Sequence, residues 1–426
     1  MPQLSNAQVV ANQLEHVDPV IEVMYERGHE LLNMIDQAKD AKKVSSRLMR
    51  ISLMINPGGD AGSYNPDGGD MGDGSGEFYD VATLTPVYKK MGFAITRLAE
   101  RATETSEQAL VNETNRIVAE GMEQFRSYLD KVLQTNGNGV LGTIASLAGT
   151  TATMAVPYGA QLVYNNQPVQ IYDATLTTNR SALANMVTRV VAADPITAQT
   201  IVFDQLPAVT IPGDVIVSAG LIGANPVDLF GIKYHQSNAT TGVWLNLNRA
   251  TYPVQLATPR VNGNNGALVP MQPWLALNKI KKSLGLKKLG KLKAHMAVEQ
   301  SQAWNQLAVT VQIVDRAKRE TGEGLDMGIR GAHDSAGNMC GVPIVESQNA
   351  DQTRIDFLDI AKWGRAVMSP VGFFKGANGK VWFQKYGASG GIATSMLFYY
   401  VADFQVFTRS PRAGAFIDAL ARPSGF

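Results

Sequence analysis

The segment from Thr105 to Gln134 constrains the fold most. Within it Leu110, Val111, Ile117, Val118, Met122, Phe125, Leu129, Val132 and Leu133 fall on one helical stripe. Thr105 and Gln108 make a capping-box pattern at the start, and the Asn-Gly-Asn-Gly run at 136–139 ends it. At ~1.5 Å per residue this helix is ~45 Å long. That exceeds the usual helix of a compact domain and predicts a spine laid across a flat or elongated body.

Upstream, Arg47, Met49, Ile51, Leu53 and Ile55 share one side of a predicted strand. Val87, Met91, Phe93 and Ile95 share one side of another, with Lys89 the exception. Two alternating segments flanking one loop read as a long hairpin. The loop between them contains NPGGDAGSYNPDGGDMGDGSGEF, residues 56–78, with eight glycines and four aspartates. Hairpin loops usually take ~2–5 residues, so a loop of about twenty needs a reason.

Before the hairpin, Val20, Val23, Met24, Leu31, Met34 and Ile35 predict an amphipathic helix over 20–40, after the break at Pro19. Beyond the spine, QLVYNNQPVQIYDATL sets a turn at Asn165 and Asn166 between β-rich arms. Next, SALANMVTRVVAAD reads as a short helix with Leu183, Met186, Val187, Val190 and Val191 inward. A β-rich stretch to about 275 follows, then a helix over 298–319 with Trp304, Leu307, Ala308, Val311 and Val314 on its face. MLFYYVADFQVFTRS is a strand near the C-terminus. The architecture is mixed α+β, without an internal repeat.

The 426 residues allow two or three cores at ~150 residues each. Apolar residues make up 45%, yet charged ones make up only 18%, below the ~25% usual for soluble domains, which points to surface hidden in contacts. With 38 basic against 37 acidic side chains, no global field draws the chain to nucleic acid or membrane. The start lacks a basic block followed by an apolar one, and no run approaches ~18 apolar residues, so a soluble, cytosolic protein is expected.

Candidate chemistry is sparse. A phosphate loop needs Lys and Ser or Thr after its last glycine, but Gly76 precedes Glu77. Asn65 and Asp67 could begin a calcium loop, but Gly69 occupies the next ligand position, so a surface tip is the better reading. Ser389 in GASGG matches a hydrolase nucleophile pattern, yet the last histidine, His333, precedes it, and a glycine-rich turn explains the segment. His16, His29, His235, His295 and His333 show no metal-binding spacing, and Cys340, the only cysteine, reads as a small buried hydrophobe. The run KIKKSLGLKKLGKLK, with Lys279, Lys281, Lys282, Lys287, Lys288, Lys291 and Lys293, is interrupted by Gly285 and Gly290. It reads as a solvated turn, with a nucleic-acid contact as the rival. A structural or interaction protein without cofactor, metal or catalytic residues is expected.

The order of arm, long hairpin, spine helix and large β-rich region resembles the major capsid proteins of tailed double-stranded DNA bacteriophages, the Hong Kong 97 coat fold. LFGIKYHQSNATTGVWLNLNRATYPVQLATPRVNG at 229–263 is similar to the axial-domain stretch of such coats. LFYYVADFQVFTRSPRAGAFI at 397–417 is similar to their closing peripheral strand and tail. The resemblance implies an N-terminal arm over 1–45, an extended E-loop hairpin over 46–97, and the spine helix (about 104–135) with a peripheral domain over 98–180. It further implies an axial domain over 181–350 and return segments over 351–426.

Such a subunit assembles as hexamers and pentamers into an icosahedral shell around double-stranded DNA in the host bacterial cytoplasm. A separate scaffolding protein, a portal and cement proteins are the implied partners, with no membrane. The arm would then find its apolar surface on a neighbour. Asp60, Tyr64, Asp67, Asp70, Asp73, Phe78 and Tyr88 would lie at subunit interfaces, and Lys281, Lys282, Lys287 and Lys288 would face the DNA. Two other readings stand beside this one: an encapsulin-like nanocompartment shell and a calcium-dependent secreted adhesin.

Overall fold

The computed structural model describes residues 28–36, 48–56, 58–59, 61–63, 67, 74–96, 107–195, 199–221, 223–284, 291–307, 337–376, 379–386 and 392–423. Helices α1 (Glu30–Asp36) and α2 (Glu107–Leu133) frame the first core. The second half of the stripe expected on α2 faces inward: Phe125, Leu129, Val132 and Leu133 are fully buried in one cluster with Phe398, Tyr400 and Phe404, while the side chains of Leu110, Val111 and Ile117 lie outside what the structure describes. Each such side chain contributes about 1.5–3 kcal/mol on burial. After the helix the backbone reverses at Gly137, where φ is +78° and a Cβ would lie 2.7 Å from the Phe230 ring. Only glycine fits that turn.

Leu31, Leu32, Met34 and Ile35 of α1 are buried in the same cluster. The apolar face expected to need a neighbour is therefore covered, over 30–36, by the chain's own spine. Val20, Val23 and Met24 lie outside the described residues.

The hairpin is real, but its second strand differs from the expected one. Strand β1 (Met49–Asn56) pairs antiparallel with β2 (Phe78–Leu84), from Met49↔Leu84 to Asn56↔Phe78. The segment expected as partner, β3 (Val87–Thr96), joins another sheet. Pro86, with no N–H to give a ladder, separates the two strands. Beyond it Phe93 stacks on Phe398 at 5.2 Å, so β3 gains an aromatic core that a two-stranded ribbon lacks.

After α2 the chain builds a closed barrel from β4 (Val140–Ala148), β5 (Thr151–Met154), β6 (Pro168–Tyr172), β7 (Thr188–Asp194), β8 (Thr200–Phe203) and β9 (Val215–Ser218), in the order β4-β5-β8-β7-β6-β9. Its interior holds Ile144, Ile171, Val190, Ile201 and Ile216. Two expectations fail here. The helix expected over 181–194 is a four-residue turn, Arg180–Leu183, followed by β7. Val190 points in, while Leu183, Val187 and Val191 are exposed, because β-branched residues at period two suit a barrel wall. Ahead of β6, residues 161–164 form no strand, although Asn166 does turn at φ 65°. The barrel spans 140–218.

A two-residue hairpin, β10 (Val243–Trp244) with β11 (Leu247–Asn248), comes next. A six-stranded sheet then forms from β12 (Arg260–Gly266), β13 (Leu292–Ala297), β14 (Asn338–Met339), β15 (Val342–Ser347), β16 (Ile355–Asp359) and β20 (Ala415–Leu420). Its order is β12-β20-β16-β13-β15-β14. Ala276, Leu277 and Ile280 of α3 (Met271–Leu284) cover it together with Trp304. The helix expected over 298–319 is present over 298–307, and Ala308, Val311 and Val314 lie outside the described residues. The last sheet places β19 (Ile392–Thr408), the expected C-terminal strand, against β17 (Trp363–Phe373), β18 (Phe383–Tyr386) and β3. The class is mixed α+β, as expected.

Candidate assembly interface

The β1–β2 hairpin separates its two faces by alternation. Met49, Ile51 and Leu53 point to the body with Ala82 and Leu84, as expected for β1, and Ala82 is buried against Trp244, Leu247 and Leu256. The other face carries the cross-strand pair Met54↔Tyr79 and, next to it, Val81. Met54 is 56% exposed, Phe78 51% and Tyr79 52%. Phe78 and Tyr79 are neighbours in the chain and point to opposite faces. The distal hairpin therefore presents large apolar groups on both sides of a single ladder. A two-stranded ribbon of this kind is marginal alone in water, and clustered exposed apolar groups mark contact surfaces.

The glycine tract prolongs the ladder at its root. The Gly59 amide donates to the Ser75 carbonyl at 2.9 Å. Gly58 has φ +77°, and a Cβ there would sit 2.5 Å from the Gly76 carbonyl oxygen, so close strand approach requires glycine.

The expected interface residues fall into three groups. Phe78 lies on the hairpin and is exposed, and Asp67 is exposed. Tyr88, 60% exposed, lies on β3 in the other sheet, where its hydroxyl contacts Met368 Sδ at 3.9 Å. Asp60, Tyr64, Asp70 and Asp73 lie outside the described residues. Sequence reasoning missed Met54, Tyr79 and Val81. For Met54 the signal is the alternation of β1, whose in-between positions face outward; Tyr79 and Val81 lie on β2, a strand the sequence reading did not place.

Lys89, the odd residue on the inward side of β3, explains how that strand is fixed. Its ammonium lies 2.6 Å from the buried Asp228 carboxylate and 3.3 Å from the Tyr128 hydroxyl of α2. Burial pulls its pKa down, but Tyr128 and Asp228 outweigh burial and raise it, so the pair is a charged joint between β3 and the 228 loop.

Lys281 and Lys282 sit in the last turn of α3, where cations meet the negative end of the helix. Lys279 donates to the Arg260 carbonyl at 2.5 Å. This first part of the basic run is helix rather than the expected turn. Lys287 and Lys288 lie outside the described residues, as does Ser389.

Other titratable groups singled out in the sequence, His29, His235, His295 and Cys340, have structural surroundings. His235 Nδ1 accepts from the Trp244 indole at 3.2 Å, Nε2 lies 3.0 Å from the Val406 carbonyl, and burial pushes its pKa down to about 3. Burial pushes the Cys340 thiol up to about 12, away from nucleophilic reactivity. No group of three or more His, Cys, Asp or Glu that could hold a metal occurs among the described residues.

No family model matches the sequence, and no curated protein does. Solved structures do. A chain of the Cyanophage A-1(L) capsid asymmetric unit superposes with a TM-score of 0.54 at 10% identity, covering 98% of this chain and 99% of that one. This chain has a phage-capsid fold. The capsid of the empty GTA particle matches with a TM-score of 0.46 at 10% identity, over 98% of this chain and 99% of that one. A chain from Mycobacterium phage Bobi gives 0.45 at 8% identity over 100% of both. Within the phage-capsid fold of this chain, the β1–β2 hairpin carries Met54, Phe78 and Tyr79 about half exposed.

Proposed function

We propose that the chain is a structural shell subunit that assembles with copies of itself, as hexamers and pentamers, into an icosahedral phage capsid enclosing double-stranded DNA. One observation carries this reading: a phage-capsid fold, matched end to end, projects a hairpin whose Met54, Phe78 and Tyr79 are all about half exposed. Repetition of one hairpin-to-body contact by symmetry is the economical way to cover those groups. In this reading Asp67, Phe78 and the rest of the tract, with Asp60, Tyr64, Asp70 and Asp73, meet the adjacent subunit, and Tyr88 meets one from β3. A scaffolding protein, a portal and cement proteins act with it during assembly in the host cytoplasm, and Lys281, Lys282, Lys287 and Lys288 face the DNA.

Electron microscopy of the purified full-length protein across a concentration series tests the reading. Closed shells above a threshold concentration are expected. Monomers at every concentration, with and without scaffolding protein, overturn it, and small shells that co-purify with a cargo enzyme favour a nanocompartment instead.

A further inference from the structure

Side chains close the outer edge of β2. In an antiparallel ladder alternate residues turn their N–H and C=O away from the partner strand. On β2 these outward residues are Val81 and Thr83, and side chains occupy their groups. Asn246 Oδ1 accepts from the Thr83 amide at 2.6 Å, while Asn246 Nδ2 donates to the Val81 carbonyl at 3.0 Å. The Val81 amide donates to Asp80 Oδ1 at 2.7 Å. Asp80 in turn accepts from the Tyr252 hydroxyl through Oδ2 at 2.8 Å. One carboxamide thus binds β2 in the two-pronged way that a neighbouring strand would.

The turn that presents Asn246 is built for that task at a cost. Leu245 and Asn246 join β10 to β11, and Leu245 takes φ +56°, a region that bulky side chains avoid. It is held there by the Tyr234 hydroxyl, which accepts from the Leu245 amide at 2.7 Å. Below the turn, buried Trp244 packs in one cluster with Ala82 of β2. A strained, well-anchored turn aimed at a strand edge is over-determined for an ordinary surface loop.

We infer that Asn246, with Asp80 and Tyr252, is a clamp that closes the outer edge of β2 and fixes the direction in which the hairpin leaves the body. This rests on the reading of the chain as a shell subunit. Asn246 is then a positioning residue for the contact between subunits, although it sits at the hairpin's root. The clamp also removes β2 as an edge to which a stray strand could add before assembly.

Hydrogen exchange on the unassembled full-length protein reads the clamp directly. In Asn246→Ala the Thr83 amide should exchange about tenfold faster or more, as loss of one hydrogen bond implies. The Leu129 amide in α2 should not change. Asn246→Asp retains the acceptor and should keep Thr83 protected. Equal Thr83 exchange in wild type and Asn246→Ala overturns the clamp. If Asn246→Ala does not fold, Tyr252→Phe deletes a single oxygen, and an unchanged Val81 exchange rate there overturns it equally.

Assembly reads the consequence. Wild type should give shells of one diameter and Asn246→Ala a mixture of diameters and open sheets; identical shells overturn the positioning role. Failure of wild type to form shells overturns the shell reading, while Thr83 exchange still decides whether the clamp exists.

Discussion

The β1–β2 hairpin and the β4–β9 barrel lie on either side of α2 in the chain and treat their strand edges in opposite ways. Every barrel strand is paired on both sides, and Ile171, Val190, Ile201 and Ile216 are fully buried inside it. Short strands of four to nine residues suffice because closure removes the edges and creates a core. The hairpin has one ladder, one edge closed by side chains, and apolar groups on both distal faces. A closed element needs no further strand, whereas an open one is what the proposed contact between copies would cover. The largest predicted effect follows: replacing residues 58–75 with an Asn-Gly turn should abolish closed shells while the thermal transition of the unassembled protein stays near wild type. Ordering a glycine-rich tract costs ~1–2 kcal/mol per residue, which the proposed contact with a neighbouring copy would offset. Normal shells from the shortened protein would break the comparison.

The converse change sits in the barrel. Ile171→Ala should cost about 2–5 kcal/mol in denaturant unfolding, through lost burial and a cavity, yet leave shell morphology intact. Loss of shells without loss of stability would mean that the barrel is the contact element.

A pH scan addresses the body beneath the hairpin. Asp130 of α2 is fully buried and accepts from the Leu32 amide at 2.9 Å and from Asn349 Nδ2 at 3.0 Å. Burial outweighs these bonds and raises its pKa from 3.8 to about 6. A raised folded pKa means that the contribution is fully present below the unfolded value and is lost as pH rises through about 6. The packing of α1 on α2 should therefore weaken between about pH 4 and 7, by about 3 kcal/mol in total. Thermal melts of wild type should show that slope and Asp130→Asn should flatten it. The same slope in both would remove Asp130 from the account.

These contrasts were unevenly legible in the sequence. The spine and β19 were readable because their patterns are long and local: one 3.6-residue stripe in α2 and an apolar run in β19. The inward set on β1 was readable by alternation. Its partner was not, because FYDVATL carries Asp80 and Thr83 and looks weaker than PVYKKMGFAIT, and strand pairing is settled by distant residues such as Trp244 and Phe398. The barrel was misread where Leu183, Met186, Val187, Val190 and Val191 happen to satisfy a helical spacing, although Val190 alone of the last two points inward. The clamp left no local signal, since Asn246 and Thr83 are 163 positions apart.

The smallest effect on the subunit is the most informative about which surface is used. Tyr79 on the hairpin and Val191 on the barrel wall are 52% and 54% exposed, so they are matched in accessibility and differ in the element that carries them. The Tyr79 hydroxyl bonds Glu77, a solvent-exposed contact, so Tyr79→Ser should change unfolding free energy by no more than about 0.5 kcal/mol, as should Val191→Ser. Their effects on assembly should diverge. Truncating an aromatic anchor at an interface costs about 1–2 kcal/mol or more, so Tyr79→Ser should raise the threshold concentration for shells by about tenfold. Val191→Ser should leave it unchanged. Phe78→Ser, on the opposite face, then decides whether neighbours cover one side of the ribbon or both, because only two-sided cover makes it as harmful as Tyr79→Ser. Equal thresholds for wild type, Tyr79→Ser and Val191→Ser, measured by light scattering in one buffer, would show that exposure on the open hairpin carries no more meaning than exposure on the closed barrel.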